Sequence, residues 1–229
     1  NKFYLNFSKK IFCYSEKIIN FPDKFKNKLI NINPLIKKEI YGTKFPDEIN
    51  NQFTLLIVGG SQGANFFDSN LKNIIVNISK KLNIKVIQQT SEKNTVFLKN
   101  FYATNNVENQ IFSFSKDFTK NILQADLCIT RAGASTLAEL SFLNVPFIAV
   151  PLPNSKDNHQ FENANFYKNN DCCWLIEQEH FDKKIEDLLK EIIINKTNYL
   201  KKKQNLKKLN YQNTWINVNQ KILGIINEN

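Results

Sequence analysis

"DLCITRAGASTLAELSFLN", residues 126–144, is the stretch on which the fold turns. Its first six residues read as a strand, and 135–144 read as a helix. Between them lie Ala132, Gly133 and Ala134, a turn with no bulky side chain. A strand that passes through small residues straight into a helix is the repeating unit of a parallel sheet. The same rhythm continues on both sides. Upstream, "FTLLIVGG" (53–60) is an unbroken apolar run ending in glycines, as a strand buried on both faces requires. "FFDSNLKNIIVNISKKL" (66–82) carries apolar residues at helical spacing, "IKVIQQT" (84–90) is the next strand, "NVENQIFSF" (106–114) contains another and "FTKNILQA" (118–125) is a short helix. Downstream, "PFIAVPLP" (146–153) is a strand, "HQFENANFYKNN" (159–170) a helix and "CCWLIE" (172–177) the strand that closes the sheet. From about residue 181 the chain reads as helical to its end. The expected class is α/β, with a Rossmann-like, doubly wound parallel sheet.

Before residue 51 the pattern is weaker. "KKIFCYS" and "KLINI" each have the composition of a short strand, "INPLIKKEIYG" follows as a turn into a short helix, and "KFPDEINNQ" (44–52) reads as a linker. The chain has 229 residues and is 42% hydrophobic, enough for one good-sized core and part of a second. It contains no methionine, so it is expected to be a portion of a longer protein. The first residues show no signal-peptide pattern, and no apolar run approaches the roughly 20 residues of a membrane span. Four cysteines without metal-ligand spacing read as thiols in a reducing compartment. A formal charge of +10 favours phosphates or an acidic surface, although scattered lysines alone make only a solvated face.

Ligands of doubly wound sheets bind beyond the carboxyl ends of the strands, and three polar segments fall there. In "VGGSQGAN" (58–65), Gly60 and its neighbours allow close backbone approach, Ser61 offers a hydroxyl, and the following helix presents unpaired N–H groups suited to phosphate. The Gly-Lys-Ser/Thr ending of a Walker loop and the G-x-G-x-x-G spacing of a dinucleotide fold are both missing. In the second segment, Thr136 and Glu139 have the spacing of a capping box. Two readings of Glu139 stay open: a helix cap, or a carboxylate that accepts hydrogen bonds from the vicinal hydroxyls of a ribose. Arg131 likewise either neutralises a phosphate or holds its loop. In the third, "PNSKDNHQFENAN" (153–165), His159 and Gln160 open a helix with the amides and carboxylates that read sugar hydroxyls. No metal site is expected, because the only other histidine, His180, follows a separate strand. A serine hydrolase is disfavoured by the lack of a G-x-S-x-G elbow. Together the three segments suggest a nucleotide-sugar.

"LLIVGGSQGAN", "FSFSKDF", "ADLCITRAGASTLAEL" and "PFIAVPLPNSKDNHQFENA" resemble, in order, the carboxyl-terminal domain of a bacterial transferase family. That family adds N-acetylglucosamine to undecaprenyl-pyrophosphoryl-N-acetylmuramyl-pentapeptide, turning lipid I into lipid II for peptidoglycan and the cell wall. The resemblance implies a GT-B glycosyltransferase fold, an inverting hexosyltransferase, UDP-N-acetylglucosamine as donor substrate and no tightly bound cofactor. It implies a peripheral position on the cytoplasmic face of the inner membrane, with the UDP-sugar, lipid I and an anionic membrane surface as partners and no nucleic acid. Carried over by position, Ser61 with Gly60 would contact the diphosphate, and backbone around Ser115 would hold the uracil. Gly133, Ala134, Ser135 and Thr136 would line the phosphate and ribose, beside Arg131. Glu139 would bind the ribose hydroxyls, and His159 and Gln160 would read the GlcNAc hydroxyls, with Gln160 the favoured one.

Two departures accompany the resemblance. The family's amino-terminal "GGTGGH" turn is absent, so no catalytic residue is assigned and the base is expected in an amino-terminal domain outside this sequence. The family's "GNPVR" reads "INPLI" here, which puts Ile36 where an arginine would face the diphosphate and leaves Lys37 or Lys38 as replacement contacts. The implied organisation is 1–50 as the end of the acceptor domain plus linker, 51–211 as the UDP-sugar-binding domain, and 212–229 as a helix that crosses back. Three rival functions remain on sequence alone: a non-catalytic or split-partner UDP-sugar-binding domain, a UDP-sugar epimerase of the same fold, disfavoured by the motif match, and a nucleic-acid binder suggested by the basic charge, which would require lysines clustered with exposed aromatics.

Overall fold

The computed structural model describes residues 2–13, 18, 21–32, 35–43, 52–209 and 215–227. The linker expected at 44–52 lies almost wholly outside them. The chain divides into two compact units, Asn1–Gly42 with Tyr211–Asn229, and Thr43–Asn210.

The larger unit is a six-stranded sheet. Its strands are β3 (Phe53–Val58), β4 (Ile84–Gln89), β5 (Glu108–Phe112), β6 (Leu127–Thr130), β7 (Phe147–Ala149) and β8 (Cys173–Leu175). Their order is β5-β4-β3-β6-β7-β8, and every pairing is parallel, as expected for a doubly wound α/β sheet. The helices are α1 (Gly60–Ser79), α2 (Glu92–Thr104), α3 (Phe118–Leu123), α4 (Ala134–Phe142), α5 (His159–Asn169), α6 (Phe181–Ile194) and α7 (Lys196–Leu209). The strand order reverses at β3, whose neighbours are β4 and β6. Right-handed crossovers then place α1 and α2 on one face and α4 and α5 on the other. The burial pattern agrees with that arrangement. Leu55, Ile57, Val86, Leu127 and Ile129 join Phe67, Leu71, Ile75, Tyr102 and Phe181 in one core cluster. The alternate residues Leu56, Ile87, Cys128 and Phe147 are fully buried as well. Covering both faces is why β3 reads as an unbroken apolar run.

Two elements differ from the sequence reading. Helix α1 starts at Gly60, six residues before the expected 66, because the glycine-containing "GSQGAN" is already helical. Gly60 opens it at φ +61°, a left-handed conformation that side-chain-bearing residues rarely adopt. Helix α2 had no assignment from sequence. It buries only Leu98 and Tyr102 and leaves Val96 and Phe97 exposed, so its apolar residues mark no clean face.

The smaller unit pairs β1 (Ile11–Cys13) with β2 (Leu29–Asn31) in parallel, so both segments read as short strands are strands. A 3-10 turn at Lys38–Gly42 ends "INPLIKKEIYG". Helix α8 (Trp215–Asn227) belongs to this unit, and Lys221 Nζ donates to the Asn31 carbonyl at 3.2 Å. Ile36 is only 3% exposed, with Ile32 and Ile40 also buried, while Lys37 and Lys38 are exposed. No described helix is long and apolar enough to cross a membrane.

Candidate functional site

The carboxyl ends of β3, β4, β5, β6 and β7 bring the polar segments of the larger unit together. At the end of β3, Gly59 precedes α1, and the Gly60 N–H donates to Gln89 Oε1 at 3.0 Å. The side chain of Ser61 lies outside the described residues; its backbone is in the first turn of α1. At the end of β5, the Ser113 carbonyl accepts from Gln89 Nε2 at 3.4 Å, two residues before the half-buried Ser115.

At the end of β6, Arg131 is 8% exposed. Its guanidinium donates to the Val150 carbonyl at 3.1 Å, to the Pro151 carbonyl at 3.3 Å and to Gln178 Oε1 at 2.6 Å. It also lies over the Phe66 and Phe67 rings, at 4.7 and 5.2 Å. Burial lowers its pKa to about 10, which still leaves it cationic at neutral pH. The arginine therefore ties the ends of β6 and β7 to α1 and to the turn after β8. Asn163 of α5 adds a further tie, donating to the Ala132 carbonyl at 3.0 Å.

Helix α4 begins at Ala134 with Gly133 as its N-cap, and no side chain caps it. Thr136 is thus the third helical residue, and Glu139 the sixth. The capping box left open by the sequence is not formed, because that motif needs its hydroxyl residue at the N-cap. The N–H groups of Ala134, Ser135 and Thr136 belong to the first turn, where a helix has no internal acceptors for them. Glu139 sits behind that turn and is 6% exposed.

At the end of β7, the Leu152 N–H donates to Gln160 Oε1 at 3.0 Å. Its amide oxygen is thereby occupied, and its NH2 group remains as the donor end. His159 is exposed, and its Nδ1 lies 2.6 Å from the Lys156 carbonyl. A carbonyl only accepts, so Nδ1 carries the proton and Nε2 of the neutral ring is an acceptor. Asp157 and Asn158 immediately before it hold φ of 53° and 54°. Two successive left-handed residues cost on the order of 1 kcal/mol each and cluster at ligand-holding loops.

The sequence reading passed over Gln89 and Gln178. Each is a polar residue just at or beyond a strand end, the position where the other candidates were sought. A buried network also went unseen. Asp68 of α1 accepts from Gln88 at 2.8 Å, Thr90 at 2.5 Å and Asn94 at 3.0 Å, while Tyr102 donates to Gln88 at 2.8 Å. Its members are scattered over α1, β4 and α2, so no local pattern announces it. Among the described residues, no group of three His, Cys, Asp or Glu is placed to hold a metal ion.

Residues 54–214 match the model of the glycosyltransferase family 28 C-terminal domain. A relative from Pelagibacter ubique is 47% identical over 230 residues, covering all of this chain and 65% of its own length. Its name is UDP-N-acetylglucosamine--N-acetylmuramyl-(pentapeptide) pyrophosphoryl-undecaprenol N-acetylglucosamine transferase. A relative of the same name from Rickettsia canadensis is 33% identical over 201 residues, covering 85% of this chain and 57% of its own length. The chain thus spans less than two thirds of either relative. Among solved structures, Acinetobacter baumannii MurG superimposes with a TM-score of 0.73 at 21% identity, over 97% of this chain and 61% of that one. A glycosyltransferase from Rickettsia africae gives a TM-score of 0.56 at 13% identity, over 89% of this chain and 59% of that one. At these identities the two structures bear on the fold, which is that of the GT-B glycosyltransferases.

Proposed function

We propose a function from one premise: the chain belongs to the family of the glycosyltransferase family 28 C-terminal domain. The proposed activity is transfer of N-acetylglucosamine from UDP-N-acetylglucosamine to the C4 hydroxyl of the muramyl sugar of undecaprenyl-pyrophosphoryl-MurNAc-pentapeptide. This is the step from lipid I to lipid II in peptidoglycan synthesis. The observation that carries the reading is the 47% identity that runs along the entire chain to a relative named for this reaction.

In the proposed mechanism the acceptor oxygen attacks C1 of GlcNAc as the C1–O bond to UDP breaks, with inversion. The acceptor's proton passes to a base that we assign to the additional length present in the relatives. The residues of this chain act on the donor. Ser61, with Gly60, and the first-turn N–H groups of α4 at Ala134, Ser135 and Thr136 face the diphosphate, where negative charge develops as UDP leaves. Backbone around Ser115 holds the uracil. Glu139 accepts from the ribose hydroxyls. Gln160, its oxygen already anchored, donates its NH2 to a GlcNAc hydroxyl, and His159 offers Nε2 beside it. Arg131 supports the turn through Gly133. Its charge adds to the potential there, but its donors at the described contacts face protein. The working place is the cytoplasmic face of the inner membrane, with lipid I and an anionic membrane surface as partners of the whole protein.

Calorimetric titration of the 229-residue chain with UDP, UDP-GlcNAc and a GDP-sugar tests the donor half of this reading. Selective binding of the uridine nucleotides is expected. Glu139→Ala should weaken UDP about 10- to 100-fold, the loss of charge-assisted hydrogen bonds to two hydroxyls. Unchanged affinity in that variant would remove Glu139 from the ribose site, and equal affinity for all nucleotides would sink the donor assignment. Turnover of lipid I by the chain mixed with the amino-terminal portion of a relative tests the acceptor half.

A further inference from the structure

We infer that Gln89 is a positioning residue that sets the spacing between the base-holding loop and the diphosphate-holding turn; the inference rests on the nucleotide reading above. Its primary amide is used in both directions. Oε1 accepts from the Gly60 N–H at 3.0 Å, and Nε2 donates to the Ser113 carbonyl at 3.4 Å. The partners fix the amide's orientation, since an N–H must meet the oxygen and a carbonyl must meet the NH2 group. Gly60 opens α1 at φ +61°, so its N–H direction decides how the first turn presents its remaining donors. Ser113 leads directly into Phe114 and Ser115. The two segments come from different crossovers, β3 to α1 and β5 to α3, and Gln89 is the described side chain that joins them.

The arm also stands on a fixed base. Gln89 is the last residue of β4, and its backbone is held in register with Phe112. Its neighbours Gln88 and Thr90 are both bound to the Asp68 carboxylate, at 2.8 and 2.5 Å, and the Thr90 N–H donates to the Phe112 carbonyl at 2.9 Å. The Asp68 network thus immobilises the residues on either side, and the Gln89 side chain projects from a backbone with little freedom. Glutamate would lack the donor, leucine would lack both groups, and asparagine would keep the amide on an arm one methylene shorter.

A residue that sets spacing should matter only to a ligand that reaches both loops. UDP does so; UMP occupies the base loop but lacks the second phosphate that reaches the first turn of α1. Titrations of the full 229-residue chain with UDP and UMP, for the parent, Gln89→Leu and Gln89→Asn, read the difference. Both variants should weaken UDP about tenfold, the worth of the two hydrogen bonds that hold the spacing, and change UMP by less than about twofold. Thermal melting run alongside should show both variants folded. The inference is overturned if either variant binds UDP like the parent, or if UDP and UMP weaken equally, as a general loosening would produce. A parent that binds neither nucleotide overturns the nucleotide reading itself, and this inference with it.

Discussion

Arg131 is a cation enclosed by carbonyls and aromatic rings, and its planar shape is what makes that position workable. Three acceptors on two elements, Val150, Pro151 and Gln178, lie in different directions from one guanidinium. An ammonium on a lysine stem reaches one or two of them and cannot lie flat over Phe66 and Phe67. Arg131→Lys is therefore expected to destabilise the chain by about 2–4 kcal/mol, from lost charge-assisted hydrogen bonds, read as a lower urea midpoint. UDP should bind the variant more weakly, because the loop that carries Gly133 loses its tie to β7. Sequence left Arg131 open between phosphate and loop because either partner is consistent with an arginine at a strand end. The choice depends on Val150, Pro151 and Gln178, which lie 19 to 47 residues away. For Glu139 both the spacing to Thr136 and the helix start were legible, the expected 135 lying one residue from Ala134; the capping box fails because Gly133, and not Thr136, is the N-cap.

At the scale of elements, legibility followed coverage. Strand β3 was readable because both its faces are buried, and β6 into α4 because small residues separate two unambiguous pieces. Helix α2 was not readable, since its exposed Val96 and Phe97 mix apolar residues into the solvent side. Pairing between β3 and β6 also has an electrostatic partner at its amino-terminal end. Asp126 accepts from the Thr54 N–H at 2.7 Å. Burial raises its pKa above the ordinary value of 3.8, against the lowering effect of that hydrogen bond and of Lys203 and Lys196. The folded state then holds the proton more tightly than the unfolded one. The ionised carboxylate costs stability above the folded pKa, and that cost disappears as pH falls through it toward about 4. Asp126→Asn should thus gain on the parent at neutral pH, with the gap closing on acidification, as denaturant titrations at several pH values will show. Asp171 has the opposite sign. Hydrogen bonds from Lys201 and Lys202 lower its pKa, so its contribution is present near neutrality and fades as pH drops below its unfolded value.

At the scale of the molecule, the order β5-β4-β3-β6-β7-β8 divides the sheet into halves that are each local in sequence, 53–112 and 127–175. Within the sheet they pair along β3 and β6, where Thr54 and Asp126 are partners 72 residues apart. Each half can collapse on short crossovers, whereas joining them closes a long loop, the slow kind of contact in folding. The proposed uracil loop around Ser115 lies in the segment that passes from one half to the other, and the α4 turn lies just beyond the seam. The proposed nucleotide site draws on both halves, so it is expected to be complete only once they have joined. Saturating UDP should leave the stopped-flow refolding rate unchanged and slow unfolding in proportion to its occupancy of the native state. Faster refolding with UDP would mean that the halves meet earlier. On the proposed reading, the donor nucleotide is expected to act as a latch on a finished fold, lengthening its lifetime without guiding its formation.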